Sequence, residues 1–145
     1  MKFSVYWSKK KQVPILNGLP CKRSRKADCG IARIVFISPC KKYVVKVELD
    51  HASDQCEEEW KRYNKLPYYW RRFAAKVYAY GKIPFDGSSY VVQEYIQDGL
   101  PPEGLTKKMW RKIHKFERIA EMSDLHDGNL FKLRDGRVKI VDLGL

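Results

Sequence analysis

A lysine stands in the middle of one of the most strand-prone runs of this chain. Tyr43-Val44-Val45-Lys46-Val47-Glu48 reads as a β-strand. It returns from a first strand, Ile31-Ala32-Arg33-Ile34-Val35-Phe36-Ile37, across the turn Ser38-Pro39-Cys40-Lys41-Lys42. The pair reads as a hairpin, and Lys46, flanked by Val44, Val45 and Val47, fits a functional role better than a solvated edge position. Ser53 or Asp54 can cap a helix over about 55–66. Its first turn carries Glu57, Glu58 and Glu59, where the helix dipole favours acids, and Pro67 ends it. Residues 75–80 and 90–96 read as two further strands, joined through Pro84-Phe85-Asp86-Gly87. After a break at 98–102, Thr106 opens a second helix that runs to about Glu121. Two short apolar pieces, 129–133 and 138–141, form a small hairpin around Arg134-Asp135-Gly136. Pro14, Gly18 and Pro20 break any long element within 1–20, and that stretch takes no assignment. Strands, helix, strands, helix and hairpin in that order give an α+β fold.

The chain has 145 residues, enough for one compact domain with a real core. With 44% hydrophobic and 13% aromatic residues it is a folding sequence and not a disordered basic tail. No apolar run approaches the ~18 residues that a membrane helix needs. The start of the chain is interrupted by Lys9, Lys10 and Lys11 and carries no signal-peptide core, so a soluble cytoplasmic protein is expected. Cys21, Cys29, Cys40 and Cys56 form no C-x-x-C pair, and His51, His114 and His126 are scattered. Free thiols in a reducing compartment therefore fit better than zinc ligation. The net charge of +12 raises the expectation of an acidic partner or a phosphate ligand but names neither. Its densest runs are Cys21-Lys22-Arg23-Ser24-Arg25-Lys26 and Lys107-Lys108-Met109-Trp110-Arg111-Lys112. The second has Met109, Ile113 and Phe116 on one side at helical spacing, which is an amphipathic helix with a solvated basic face. Trp60, Trp70 and Trp110 fit core or rim positions better than a base-stacking platform.

The chemistry is concentrated near the end of the chain. Ser123-Asp124-Leu125-His126-Asp127-Gly128-Asn129 is followed by Lys139-Ile140-Val141-Asp142-Leu143-Gly144. Asp124 and Asn129 are five apart, and Asp142 lies thirteen beyond Asn129 at the end of an apolar strand. The pair of segments resembles the catalytic loop and metal-binding segment of the protein-kinase-like superfamily. The D-L-H-x-G-N form is closest to the aminoglycoside and choline phosphotransferases and to small bacteriophage kinases. A nucleotide's phosphates carry Mg2+, which wants hard oxygen ligands, and an Asp and an Asn amide can supply two. A separate Asp must orient the acceptor hydroxyl and take its proton. The resemblance makes Asp124 that base and gives the metal to Asn129 and Asp142, with His126 orienting the loop or the acceptor.

Upstream motifs follow in the family's order. Val44-Val45-Lys46 resembles the V-A-I-K strand, whose lysine grips the α- and β-phosphates, and the next helix should supply a glutamate to hold it. Helix geometry separates the three candidates. Positions i+4 and i+7 from Glu59 are Tyr63 and Leu66, an inward face. From Glu58 they are Arg62 and Lys65, an outward face, and Lys61 and Asn64 follow Glu57. Glu59 is the choice, thirteen residues after Lys46. Tyr90-Val91-Val92-Gln93-Glu94-Tyr95-Ile96 resembles the fifth strand and hinge. Gln93 would be the gatekeeper, and the backbone of Glu94 and Ile96 would meet adenine. The implied architecture is a kinase-like N-lobe over about 1–96 and a truncated C-lobe over 97–145, within a single domain.

The pattern also departs from the family. Of the glycine-rich G-x-G-x-x-G loop only Gly30 stands in place, and the basic 22–26 segment just upstream reads at least as well as a solvated basic strand or loop as it does as an electrostatic substitute. The H-R-D triplet reads Met122-Ser123-Asp124, so the arginine that receives an activation-loop phosphate is missing and Met122 is expected in the core. The sequence stops at Leu145 with no activation segment, as in minimal kinases of short-tailed coliphages, and apolar surface is expected around 106–145 that a second copy or a host protein would cover. The leading expectation is an ATP- and Mg2+-dependent kinase of phage origin that acts on Ser or Thr of host proteins, with Ser24 open to autophosphorylation. A kinase-fold binding module (a pseudokinase) acting on a host protein comes second. A basic nucleic-acid-binding protein, recognisable by salt-dependent binding without a nucleotide, comes third. No membrane partner is expected.

Overall fold

A computed structural model describes residues 2–24, 33–48, 54–84, 87–96, 102–122, 130–141 and 143. The fold is α+β, with antiparallel sheets and few helices among these residues. Residues left without assignment in the sequence form a three-stranded meander: β1 (Val5–Ser8), β2 (Val13–Leu16) and β3 (Leu19–Pro20). Its second turn has only two residues. Leu16 pairs with Leu19, and Asn17 and Gly18 between them have φ of 50° and 85°. Positive φ at both positions is the geometry that matches the twist of a tight hairpin, and Asn-Gly is the pair that adopts it at least cost. Asn17 also ties the meander back to the start of β1, because its Oδ1 accepts from the Ser4 N–H at 2.8 Å. Gly18 thus turns the chain within a sheet and does not interrupt one.

The second sheet has five strands: β4 (Lys22–Arg23), β5 (Arg33–Ile37), β6 (Tyr43–Glu48), β7 (Val77–Lys82) and β8 (Ser89–Glu94), in the order β4-β5-β6-β8-β7. The expected hairpin is β5 and β6, with Val35 opposite Lys46 and Arg33 opposite Glu48. Strand β6 then pairs with β8, placing Val91 opposite Lys46 and Gln93 opposite Val44. Because side chains alternate across a strand, the two faces of this sheet receive different residues. Phe36, Val45, Val47, Tyr90 and Val92 face the meander and pack with Val5 and Leu16. Lys46 and Val91 face the other way, toward the helices.

Helix α1 (Gln55–Lys65) covers that second face. Asp54 is its N-cap residue, but the Asp54 side chain makes no capping bond. The Cys56 N–H in the first turn is instead taken by the carboxylate of Glu48, at the end of β6. An acceptor from the neighbouring strand thus does the work expected of Ser53 or Asp54, and Ser53 lies outside the described residues. After Pro67 the chain makes a short 3-10 helix, Tyr68–Phe73, that the sequence did not announce. It delivers Ala75, whose N–H donates to the Ile140 carbonyl at 2.8 Å, so this stretch joins the C-terminal hairpin before β7 begins. Helix α2 (Lys107–Ile119) starts at Thr106, whose Oγ1 accepts from the Met109 N–H at 3.1 Å. Strands β9 (Leu130–Lys132) and β10 (Val138–Ile140) form the expected antiparallel hairpin.

The second core lies between α1, α2 and this hairpin. Ile113 and Phe116 of α2 meet Tyr63 and Leu66, the 3-10 residue Phe73, and Leu130, Val138 and Ile140 of the hairpin. Each such side chain contributes about 1.5–3 kcal/mol by leaving water. Met122 is in this cluster, and Trp60, Trp70 and Trp110 pack against its rim. Among the described residues, the large apolar side chains of 105–143 are buried or half-buried. Those most exposed lie elsewhere: Tyr6, Leu19, Tyr68 and Tyr69, with Tyr68 90% exposed. The apolar surface expected at 106–145 is therefore not found among the described residues, because the 3-10 helix, α1 and the hairpin cover it. No helix among the described residues is long and apolar enough to cross a membrane.

Candidate active site

The strand alternation that gives one face its apolar residues gives the other face its charges. Arg33, Lys46, Glu48 and Glu59 are all buried, two cations and two anions. Lys46 comes from the centre of β6. Glu59 comes from the inward stripe of α1, where Cys56, Glu59 and Tyr63 are the buried positions. The neighbouring acids point elsewhere: Glu58 is exposed, and Glu57 pairs with Lys61 one turn on, at 2.8 Å.

Glu59 is fully enclosed, at 0% exposure. Its Oε1 accepts from Arg33 Nη1 at 2.9 Å and from Lys46 Nζ at 3.2 Å. Its Oε2 accepts from Lys46 Nζ at 3.2 Å and from the Leu143 N–H at 2.8 Å. Burial pushes this carboxyl toward its neutral form. The charges of Lys46 and Arg33 and the Leu143 N–H outweigh that push and hold it below the usual carboxylate range. Glu59 is therefore an anion at neutral pH, with two buried cations against it. By contrast, burial pushes the adjacent Cys56 thiol up to about 12, so it stays protonated, with its Sγ near the Lys46 and Ser89 carbonyls at 3.6 and 3.7 Å.

The same cluster grips the segment after β10. Lys46 Nζ donates to the Val141 carbonyl at 2.6 Å, and Gln93 Nε2 donates to that carbonyl at 3.1 Å. Arg62 Nη1 donates to the Leu143 carbonyl at 2.7 Å. Both chain neighbours of Asp142 are thus tied to the Lys46–Glu59 cluster. Arg62, read from the sequence as outward-facing, is half-buried and reaches back to this segment on its long side chain.

Lys46, Glu59 and Gln93 are accordingly brought together. Glu94 is nearby but differently engaged. Its Oε1 accepts from the Lys76 N–H at 3.1 Å and lies 3.5 Å from Lys139 Nζ, while its own N–H donates to the Lys76 carbonyl at 2.7 Å. Ile96 is half-buried two residues on. Gly30, Asp124, His126, Asn129 and Asp142 lie outside the described residues. Their framing residues are described: Met122 and Leu130 are buried on either side of 123–129. Among the described residues no three His, Cys, Asp or Glu side chains gather as a metal site, and neither residue expected to bind metal is among them. The basic residues Lys107, Lys108, Arg111 and Lys115 of α2 are exposed, as its amphipathic pattern requires.

Sequence reasoning missed Arg33. Its signal was available: Arg33 sits two residues before Val35, which pairs with Lys46, so the period-2 rule puts all three on one face. Burying ions costs several kcal/mol each, and well-packed apolar residues often replace a buried ion pair without loss of stability. Four buried charges gathered at one place make this cluster the candidate functional site among the described residues. No protein-family model matches this chain, and no curated protein is significantly similar to it.

Proposed function

We propose that this protein is an ATP- and Mg2+-dependent phosphotransferase of the protein-kinase-like type, transferring the γ-phosphoryl group to a hydroxyl of Ser or Thr on a protein, with a host protein of a phage-infected cell as the acceptor. The observation that carries this reading is the Lys46–Glu59 pair at 3.2 Å, with Val141 and Leu143, the two neighbours of Asp142, bonded to the same two side chains. A strand lysine, a helix glutamate and an acid-bearing segment meeting at one point is what phosphate positioning beside a metal-binding residue requires. In this account Lys46 neutralises and aligns phosphate oxygens, and Glu59 holds Lys46 extended. Gln93 closes the back of the site, while the backbone of Glu94 and Ile96 meets the base and Gly30 the phosphates. Asp124 orients the acceptor hydroxyl and receives its proton, and His126 positions that loop.

The metal would be held by Asn129 and Asp142. One carboxylate and one carboxamide oxygen are hard donors of the sort Mg2+ takes, and the anchoring of both neighbours of Asp142 suits a residue that must be held in place. When bound, Mg2+ would supply positive charge that offsets the negative charge developing on the transferred phosphoryl group.

The test is incubation of purified protein with γ-labelled ATP and Mg2+, alone and with host-cell lysate, beside Asp124→Ala and Asp142→Ala. Label transferred by the wild type and lost in both variants is the expected result. ATP bound without transfer would leave a nucleotide-binding module of the same fold. Absence of both ATP binding and transfer would sink the phosphotransferase reading.

A further inference from the structure

Each acceptor that Lys46 serves also has a second donor. Glu59 Oε1 keeps Arg33 Nη1 at 2.9 Å, and Glu59 Oε2 keeps the Leu143 N–H at 2.8 Å. The Val141 carbonyl keeps Gln93 Nε2 at 3.1 Å. If the Lys46 ammonium withdrew, no oxygen it now contacts would be orphaned, and Glu59 would still face a cation. Buried polar groups are costly to strand, and a doubled set of donors removes that cost for one of the two cations.

The two cations are not equivalent. Arg33 is the more enclosed, with its side chain 3% exposed against 9% for Lys46. A guanidinium cannot lose its charge in a protein, and its planar fork is fixed once paired. Lysine is a compact charge on a flexible four-carbon stem and can re-aim its three donors. All three of those donors are now spent on Glu59 and Val141.

We infer that Arg33 is the resident counter-ion of Glu59 and Lys46 the exchangeable one. Lys46 leaves part of this set for the phosphate oxygens of a nucleotide, while Arg33 keeps the buried carboxylate compensated. Arg33 is thus a positioning residue, acting on the ligand through Glu59 and Lys46. The inference rests on the reading of Lys46 as a phosphate-binding lysine.

Two measurements on the whole chain test it. The first is nucleotide-free thermal melting of wild type, Arg33→Met, Lys46→Met and the double variant. Either cation alone compensates Glu59, so each single change should lower Tm by about 5 °C, and the double by about 15 °C or more, well beyond the sum. Should the double variant not fold, adding Glu59→Leu should restore a cooperative transition, because the stranded carboxylate is then gone. Losses that simply add overturn the proposal, and so does a non-folding double variant that Glu59→Leu fails to rescue. The second is calorimetric binding of ATP with Mg2+. Without Arg33 the nucleotide must compete with Glu59 for Lys46, so Kd should rise about tenfold in Arg33→Met and return toward wild type in Arg33→Lys. An unchanged Kd in Arg33→Met, no rescue by lysine, or no ATP binding by the wild type each overturn it. ATP binding with the predicted Kd pattern but without transfer overturns only the phosphotransferase reading and supports this one.

Discussion

The two faces of the five-stranded sheet are built from the same strands and have little else in common. On the meander side, Phe36, Val45, Val47, Tyr90 and Val92 form an apolar contact with no charge among them. On the helix side, one residue along in β5, β6 and β8, stand Arg33, Lys46, Glu48 and Gln93, with Glu59 above them. Both faces are buried, and they differ in what they bury. The apolar face gains free energy from area removed from water. The charged face spends desolvation on four ions and is held together by mutual pairing, as the fully bonded Glu59 illustrates. Strand alternation therefore separates an apolar face from a charged one within a single layer.

The largest effects should distinguish the faces most clearly. Phe36→Ala should cost about 3–5 kcal/mol in urea unfolding, as a large core truncation does, with phosphotransfer per folded molecule unchanged. Glu59→Gln, on the other face, should cost a comparable 3–5 kcal/mol by leaving two buried cations against a neutral amide, and should abolish transfer as well. Loss of activity without loss of stability in Glu59→Gln would break the comparison.

A smaller effect concerns pH. The folded-state pKa of Glu59 is depressed below its unfolded value of about 4.3. The stability it contributes is therefore present above that value and is lost as pH falls through the folded one. Stability measured between pH 7 and pH 2.5 should fall more steeply in wild type than in Glu59→Gln, with the difference appearing below about pH 4. Parallel curves would mean that Glu59 is no anion in the fold. The smallest change expected lies outside both faces. Gly18→Ala, at φ 85° with open space around the added methyl, should cost about 1 kcal/mol through the backbone alone.

The legible parts of this fold are those where one signal dominates. The β5–β6 hairpin, α2 with its Thr106 cap, and the choice of Glu59 from three consecutive acids follow from period and spacing. The illegible parts are those where a local cue had two meanings or the deciding partner was distant in sequence. Gly18 read as a breaker because glycine marks both gaps and tight turns, and only its Asn17 neighbour decides between them. The α1 cap comes from Glu48, in a strand, where no local capping rule looks. The 3-10 helix at Tyr68–Phe73 is held by Phe73 packing in the second core and by the link from Ala74 and Ala75 to Ile140, about 65 residues away. Arg62 was placed by its helical phase, and its length carried it to the Leu143 carbonyl regardless.

The central claim is that the charged face exists for phosphoryl transfer and the apolar face for stability. Its most direct test is Lys46→Met, assayed for transfer from γ-labelled ATP and for cooperative melting in the same preparation. Transfer reduced at least about a hundredfold, in a protein that still melts cooperatively within several degrees of wild type, is the predicted result. A folded Lys46→Met protein that transfers phosphate as well as the wild type would contradict the account.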